Sequence, residues 1–233
     1  MDEQALINSA RKGDARAFNQ LVLLYQRLAY NVAYRILGDQ DAASDATQDA
    51  FLKAFKAMRR FRGGSFKAWL LRIVTNACYD QLRRKQRRPA SSLDDLPVEA
   101  DHSYYMHDPA ERPDEFVERQ ELSHTIQAGI STLPVEQRTV LVLSDVQGLS
   151  YKEIAEVTGL SLGTVKSRLS RGRARVRDYL MEQRELLPAQ YRLRDEKTTQ
   201  SAGSRSSRAG ATPRVQLNML TSRRGFPRTW TAN

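Results

Sequence analysis

Residues 149–177 constrain this chain more tightly than any other stretch. Leu149-Ser150-Tyr151-Lys152-Glu153-Ile154-Ala155-Glu156-Val157-Thr158 reads as a short helix opened by Ser150, with Glu153 three residues on to complete a capping box. Gly159 then supplies the left-handed backbone that a tight corner between helices needs. Ser161 can cap a second helix, in which Val165 and Leu169 turn inward against Ile154 and Ala155. Thr164, Lys166, Ser167, Arg168 and Arg171 are left outside. The start of such a helix offers free backbone N–H groups to phosphate. Short polar and basic side chains on its first two turns reach base edges in the major groove. A hairpin with a solvated basic face is the simpler explanation of any one basic helix. Here the cap, the small Ala155, the glycine corner and an acid-free run of Lys166, Arg168, Arg171, Arg173, Arg175 and Arg177 coincide. The pair reads as a helix-turn-helix, and DNA is its expected ligand.

Helical spacing dominates elsewhere too. Phe18, Leu21, Val22, Tyr25, Leu28, Val32 and Ile36 recur at three- and four-residue steps along one face of a long helix. Gly38 ends it. Asp39 or Asp41 caps the next helix, which carries Phe51, Ala54, Phe55 and Met58 on one side. Phe61-Arg62-Gly63-Gly64-Ser65 is a break, after which Ser65 can cap a helix through Phe66, Trp69, Leu70, Ile73, Ala77 and Leu82 that Pro89 stops. Trp69 shares the face of Ile73 and belongs with the core; Arg72 serves either DNA or an ion pair along the helix. The expected fold is all-α: one small helical domain over 1–88 and a second, containing the helix-turn-helix, over 116–188. Residues 89–115 hold Pro89, Pro97, Pro109 and Pro113 among many acids, the composition of a flexible linker. Some 30 residues at ~3.3 Å each reach about 100 Å. Residues 189–233, rich in Ser, Arg, Gly and Thr, read as a disordered basic tail.

Charge falls in blocks. The formal net charge is +10, but the tail alone holds 9 basic and 2 acidic residues, so local clusters say more about ligands than the total does. Arg83-Arg84-Lys85-Gln86-Arg87-Arg88 is one basic cluster, and residues 89–120 reverse the sign with 9 acidic and 2 basic residues. No apolar run approaches the ~18 residues of a membrane span. Met1-Asp2-Glu3-Gln4 lacks the layout of a signal peptide, and the single Cys78 rules out an intramolecular disulfide, so a cytoplasmic protein without membrane insertion is expected. Cys78, mid-helix between Ala77 and Tyr79, reads as an inert packed thiol rather than a redox switch. His102, His107 and His124 offer no zinc spacing, and Asp94-Asp95 sits in the linker. No glycine-rich phosphate loop with a following lysine occurs. No enzyme activity, metal, cofactor or small-molecule substrate is therefore expected. A serine recombinase also ends in a helix-turn-helix, but residues 1–88 show no strands for its catalytic domain.

Three further stretches, in order along the chain, narrow the function. They are Asp45-Ala46-Thr47-Gln48-Asp49-Ala50-Phe51-Leu52-Lys53-Ala54-Phe55; Phe61-Arg62-Gly63-Gly64-Ser65-Phe66-Lys67-Ala68-Trp69-Leu70-Leu71-Arg72-Ile73 with Asn76, Asp80, Arg83 and Arg84; and Leu133-Pro134 and Arg138 before Gly148-Leu149-Ser150-Tyr151. Together they closely resemble the extracytoplasmic-function (group IV) sigma factors of bacterial RNA polymerase, over about residues 4–183. The resemblance implies a region 2-like bundle and a region 4-like helix-turn-helix domain. It places Asp45, Gln48, Asp49, Phe51 and Leu52 on the core-polymerase-binding helix. It assigns Arg62, Ser65, Lys67, Asn76, Arg83 and Arg84 to the promoter −10 element, where a glycine-containing loop beside aromatic and amide groups can rehouse an unstacked base. It assigns Ser161, Leu162, Thr164, Lys166, Ser167, Arg168 and Arg171 to the −35 element. Implied partners are core RNA polymerase, duplex and melted promoter DNA and an anti-sigma factor, with the acidic linker threading the polymerase interior. Ala46-Thr47 stands where the family often has two larger apolar residues, and residues 189–233 extend past the family's usual end.

The competing expectation is a LuxR-like helix-turn-helix regulator that binds DNA without core polymerase. The 61–73 stretch weighs against it, because such a regulator has no use for a melting loop.

Overall fold

A computed structural model of the chain describes residues 2–87 and 113–183, with side chains from residue 121 onward in the second stretch. The linker expected over 89–115 lies almost wholly outside these residues, and the tail expected over 189–233 lies entirely outside them. The first three helices of the first stretch begin at an acidic cap and the fourth at a serine, because the first turn leaves backbone N–H groups without partners. Asp2 accepts from the amide of Gln4 at 3.0 Å and opens α1 (Glu3–Arg11). Asp14 accepts from Arg16 and Ala17 amides at 2.8 and 3.2 Å and opens α2 (Ala15–Leu37). Of the two candidates for the next cap it is Asp39, 2.7 Å from the amide of Ala42, that opens α3 (Gln40–Ala57). A single 3-10 turn, Met58–Arg60, leads to the 61–65 loop, and α4 (Phe66–Arg87) follows with the Ser65 hydroxyl 3.1 Å from the amide of Ala68.

Packing explains the residue choices. On α2, Phe18, Leu21, Val32 and Ile36 are buried as the spacing predicts. On α3 the fully enclosed residues are Ala43, Ala46, Ala50 and Ala54, so the centre of the face it turns to α2 and α4 is made of methyl groups, with Phe51 packed at its edge. This accounts for Ala46: a larger side chain there would meet neighbours already in contact. Phe55, expected on the buried side, is 47% exposed and meets the core through an edge-on contact with Phe18 at 5.1 Å.

The second stretch contains α5 (Pro113–Ser131), α6 (Val135–Leu141), α7 (Tyr151–Thr158) and α8 (Leu162–Glu182). Val142–Val146 continues α6 as a π-helical turn, in which Gln147 N–H reaches Val142 O at 3.0 Å. The widened turn brings Asp145 to the interior, where it is 7% exposed. Gly129 lets α5 close on α8, whereas Gly172 leaves room for no more than a methyl group. A Cβ on Gly129 would stand 2.8 Å from the Tyr179 ring, and one on Gly172 would stand 3.5 Å from Leu141 Cδ1 and 3.6 Å from the Gln137 carbonyl.

Among the described residues all elements are helical and none is long and apolar enough to cross a membrane. The buried residues of α1–α4 and of α5–α8 form one continuous apolar cluster. The two helical units expected from the sequence lie directly against each other, with α4 on α7 and α2 on α5 and α6.

Candidate nucleic-acid interface

The helix-turn-helix is fixed at every helix end. Ser150 and Glu153 cap each other reciprocally: the Glu153 amide donates to Ser150 Oγ at 3.3 Å, and the Ser150 amide donates to the Glu153 carboxylate at 2.8 Å. These bonds, the backbone one foremost, hold the Glu153 carboxyl below the usual carboxylate range. Gly159 closes α7 in the left-handed region, at φ 72°, with its N–H on Ala155 O at 2.8 Å. Ser161 opens α8, accepting from the Thr164 amide at 3.2 Å. Ile154, Val157, Val165 and Leu169 are buried between the two helices.

This leaves the start of α8 standing in solvent. Ser161, Leu162, Lys166 and Arg171 are exposed, and Thr164, Ser167 and Arg168 partly so. Three of the expected contact residues have their hydroxyls engaged within the helix: those of Thr164 and Ser161 lie 2.9 Å apart, and Ser167 Oγ donates to Thr164 O at 3.1 Å. The basic run is not free of acids in space. Arg173 clasps buried Asp145 with two bonds, from Nε to Oδ2 at 2.9 Å and from Nη2 to Oδ1 at 2.5 Å, which raises the guanidinium's proton affinity. Arg173 therefore seats α8 against the π turn rather than facing outward. Sequence patterning missed the pair because 28 residues separate its members.

The 61–65 loop is built differently. Phe61 and Phe66, both 3% exposed, pin its two ends. Their rings meet at 5.8 Å, and both contact Trp69, at 5.1 and 5.4 Å, with Tyr25 5.2 Å from Phe66. Trp69 thus belongs to the core side, as its helical face implies. Between the pins, Arg62, Gly63, Gly64 and Ser65 are exposed, and the glycines adopt φ 98° and 88° with nothing within 4 Å of where a Cβ would be. On α4, Asn76 is exposed, and Arg83 and Arg84 lie 3.4 Å from Asp80 and 3.6 Å from Asp49. Lys67 does not point to solvent: Nζ donates to the Gln147 carbonyl at 2.8 Å, and desolvation lowers its proton affinity.

On α3, Asp45 and Gln48 are exposed, Asp49 is partly buried beside Arg84, and Phe51 packs on the core. Leu52, 60% exposed, and the half-exposed Phe55 present apolar surface beside those acids. Cys78 is fully buried, and burial pushes its thiol up to about 12, so it stays protonated and unreactive.

The profile of Sigma-70 region 2 matches residues 21–88, and that of Sigma-70, region 4, matches residues 123–176. The RNA polymerase sigma-H factor of Pseudomonas aeruginosa is 39% identical over 176 residues, covering 73% of this chain and 90% of that protein. The ECF RNA polymerase sigma-E factor of Escherichia coli K12 is 35% identical, covering 74% and 91%. The ECF RNA polymerase sigma factor SigE of Mycolicibacterium smegmatis is 38% identical over 70% of this chain, which spans 62% of that relative's length. Among solved structures, the sigma factor RpoE of Bartonella quintana, in complex with the anti-sigma factor NepR, aligns at TM-score 0.56 and 26% identity over 71% of this chain and 98% of that one. CnrH, in complex with the cytosolic domain of CnrY, aligns at TM-score 0.55 and 29% identity over 76% and 96%. With both regions matched in order and more than a third of the residues shared over nearly the whole of two named relatives, this chain belongs to the extracytoplasmic-function sigma factors of the sigma-70 family.

Proposed function

We propose that this sigma factor divides promoter recognition between its two helical units while α3 holds it on core RNA polymerase. The observation that carries the reading is a fully capped recognition helix and an aromatic-pinned glycine loop in one chain. The first suits rigid reading of a duplex groove, and the second suits capture of bases from an opened one.

On α8, Lys166, Arg168 and Arg171 supply phosphate contacts, so affinity falls as salt rises. Base discrimination rests on the residues that remain free at the helix start: Leu162, positioned for a thymine methyl, and Lys166, suited to a guanine edge. On the other unit, Arg62 and Asn76 meet the −10 strand, Arg83 and Arg84 its phosphates, and the loop receives an unstacked base. Ser65 spends its hydroxyl on the α4 cap and contributes mainly shape. Asp45, Gln48, Asp49 and Leu52 form the polymerase-docking face, an apolar patch ringed by acids. The chain does no covalent chemistry itself and acts in the cytoplasm, where the polymerase is. The similar structures named above were solved with the NepR and CnrY partners, which supports an anti-sigma factor as a third partner here.

The test is charge reversal at Lys166 and Arg168. Promoter-specific initiation in run-off transcription is expected to disappear while co-purification with core polymerase persists. Loss of both would show that the roles of the two units are misassigned. A footprint from the isolated chain equal to that of the holoenzyme would favour a free-standing regulator instead.

A further inference from the structure

Many cations on and against the first unit already have protein partners. Lys53 and Arg83 pair with Asp80 at 3.0 and 3.4 Å, and Arg84 lies 3.6 Å from Asp49. Arg35 donates to Gln127 Oε1 and Ser123 Oγ, Lys67 to the Gln147 carbonyl and, from α6, Arg138 to the Ile36 carbonyl. Arg11, Lys12, Arg16, Arg59 and Arg60 differ: all are exposed, and none forms an ion pair among the described residues.

These five gather in one place. Arg11 and Lys12 close α1, Arg16 stands in the first turn of α2, and Arg59 and Arg60 end the 3-10 turn, which packs on α1. A Cβ on Gly13, whose φ is 100°, would stand 3.1 Å from Arg59 Nη2, so the guanidinium lies over the corner between α1 and α2. Segments 11–16 and 59–62 hold six cations and one acid, Asp14, whose carboxylate is engaged by the Arg16 and Ala17 amides. Helix ends account for only part of this. Arg11 suits the C-terminal end of α1, but Arg16 sits at the positive end of α2, whose first turn has no acid. Like charges crowded in this way destabilise the compact state, and a polyanion relieves the repulsion.

The place identifies the anion, on the reading that assigns the 61–65 loop, Arg83 and Arg84 to the −10 element. Arg60 adjoins Phe61, the first pin of that loop, whereas Arg83 lies about 26 Å along α4 from Phe66 at ~1.5 Å per residue. The duplex end of the element is then at Arg83 and Arg84, and its opened end is at the loop. A strand that gives a base to the loop continues beyond it as a single strand, beside the corner.

We propose that Arg11, Lys12, Arg59 and Arg60 form a phosphate track for the melted strand on the start-site side of the −10 element. The track grips backbone only and is indifferent to sequence. It holds the strand once its base has entered the loop and so opposes reclosure of the duplex.

The experiment uses holoenzyme reconstituted with the full chain and two forked promoter fragments. In one the −10 strand ends at the element; in the other it runs on past it as a single strand. R11Q/K12Q/R59Q/R60Q is expected to bind the shorter fragment as the unaltered chain does and to lose the affinity gained from the extension. Its log affinity for the longer fragment should depend less steeply on log salt, by about 2–3 in slope at ~0.7 per single-strand phosphate. Changing the sequence of the extension should alter neither result. R59K/R60K, which keeps both charges, is expected to retain the gain. Circular dichroism checks folding, and R11Q/K12Q alone serves if the fourfold variant unfolds. An extension gain and a salt slope equal to those of the unaltered chain overturn the proposal. So does an equal loss on both fragments, which would mark the corner as a polymerase contact. R83Q/R84Q tests the underlying assignment separately: unchanged binding of the shorter fragment would remove these residues from the −10 set, whatever the extension shows.

Discussion

The loop at 61–65 and the corner between α7 and α8 both expose polar and basic residues from an apolar seat, yet they are held by opposite means. The corner is made of hydrogen bonds at each helix end, a reciprocal Ser150–Glu153 cap and the bidentate Arg173–Asp145 clasp, so the direction of α8 has little freedom. The loop has ring contacts at its two ends and two left-handed glycines between them, so its middle can move without disturbing either end. Reading a duplex groove needs side chains already in place; receiving a base that leaves its stack needs a backbone that yields. On the proposed assignment, directional bonds serve the duplex-reading site and non-directional packing the base-receiving one.

Substitutions can break this contrast. The largest effect is expected for Arg173→Ala, which leaves the nearly buried Asp145 carboxylate unpaired. A loss of about 3–5 kcal/mol is expected in denaturant unfolding, and −35 protection should fail even on templates already melted at −10. Phe61→Ala comes next, at about 3 kcal/mol for removing a buried ring. Here −35 protection should survive and a pre-melted template should restore initiation. Equal loss on pre-melted and closed templates would mean that the ring cluster does not serve opening. The smallest pair sharpens the comparison: Ser161→Ala, at about 1 kcal/mol for a lost cap, against Gly64→Ala, at about 1–2 kcal/mol for a left-handed backbone without steric conflict. The first should weaken promoter affinity with little change in the opening rate, and the second should slow opening with affinity kept. Stopped-flow fluorescence of a promoter labelled in the −10 element reads both.

Much of the local structure was legible in the order of residues. Ser150 with Glu153, Gly159 and Ser161 announce their helix ends because a cap depends on partners two or three positions away. Gly38 and the α2 face were equally plain. The choice of Asp39 over Asp41 was not, since both are good caps and only the path of the preceding turn selects one. Phe55 misled because its spacing suits burial, whereas the enclosed face of α3 is taken by Ala43, Ala46, Ala50 and Ala54 and leaves the ring at its margin, 47% exposed. The Arg173–Asp145 clasp and the seats of Arg35, Lys67 and Arg138 left no periodic trace, and a basic run reads the same whether its members face solvent, DNA or a buried carboxylate.

The sequence by itself therefore determined the helices, their ends and the kind of surface each presents, since those depend on contacts within a turn or two of the chain. Tertiary structure alone decided which cations are spent inside the protein and that the two helical units share one apolar cluster. Both follow from segments distant along the chain meeting in space, where the free energy of burial depends on what lies opposite each residue and on nothing its own neighbours in sequence can specify.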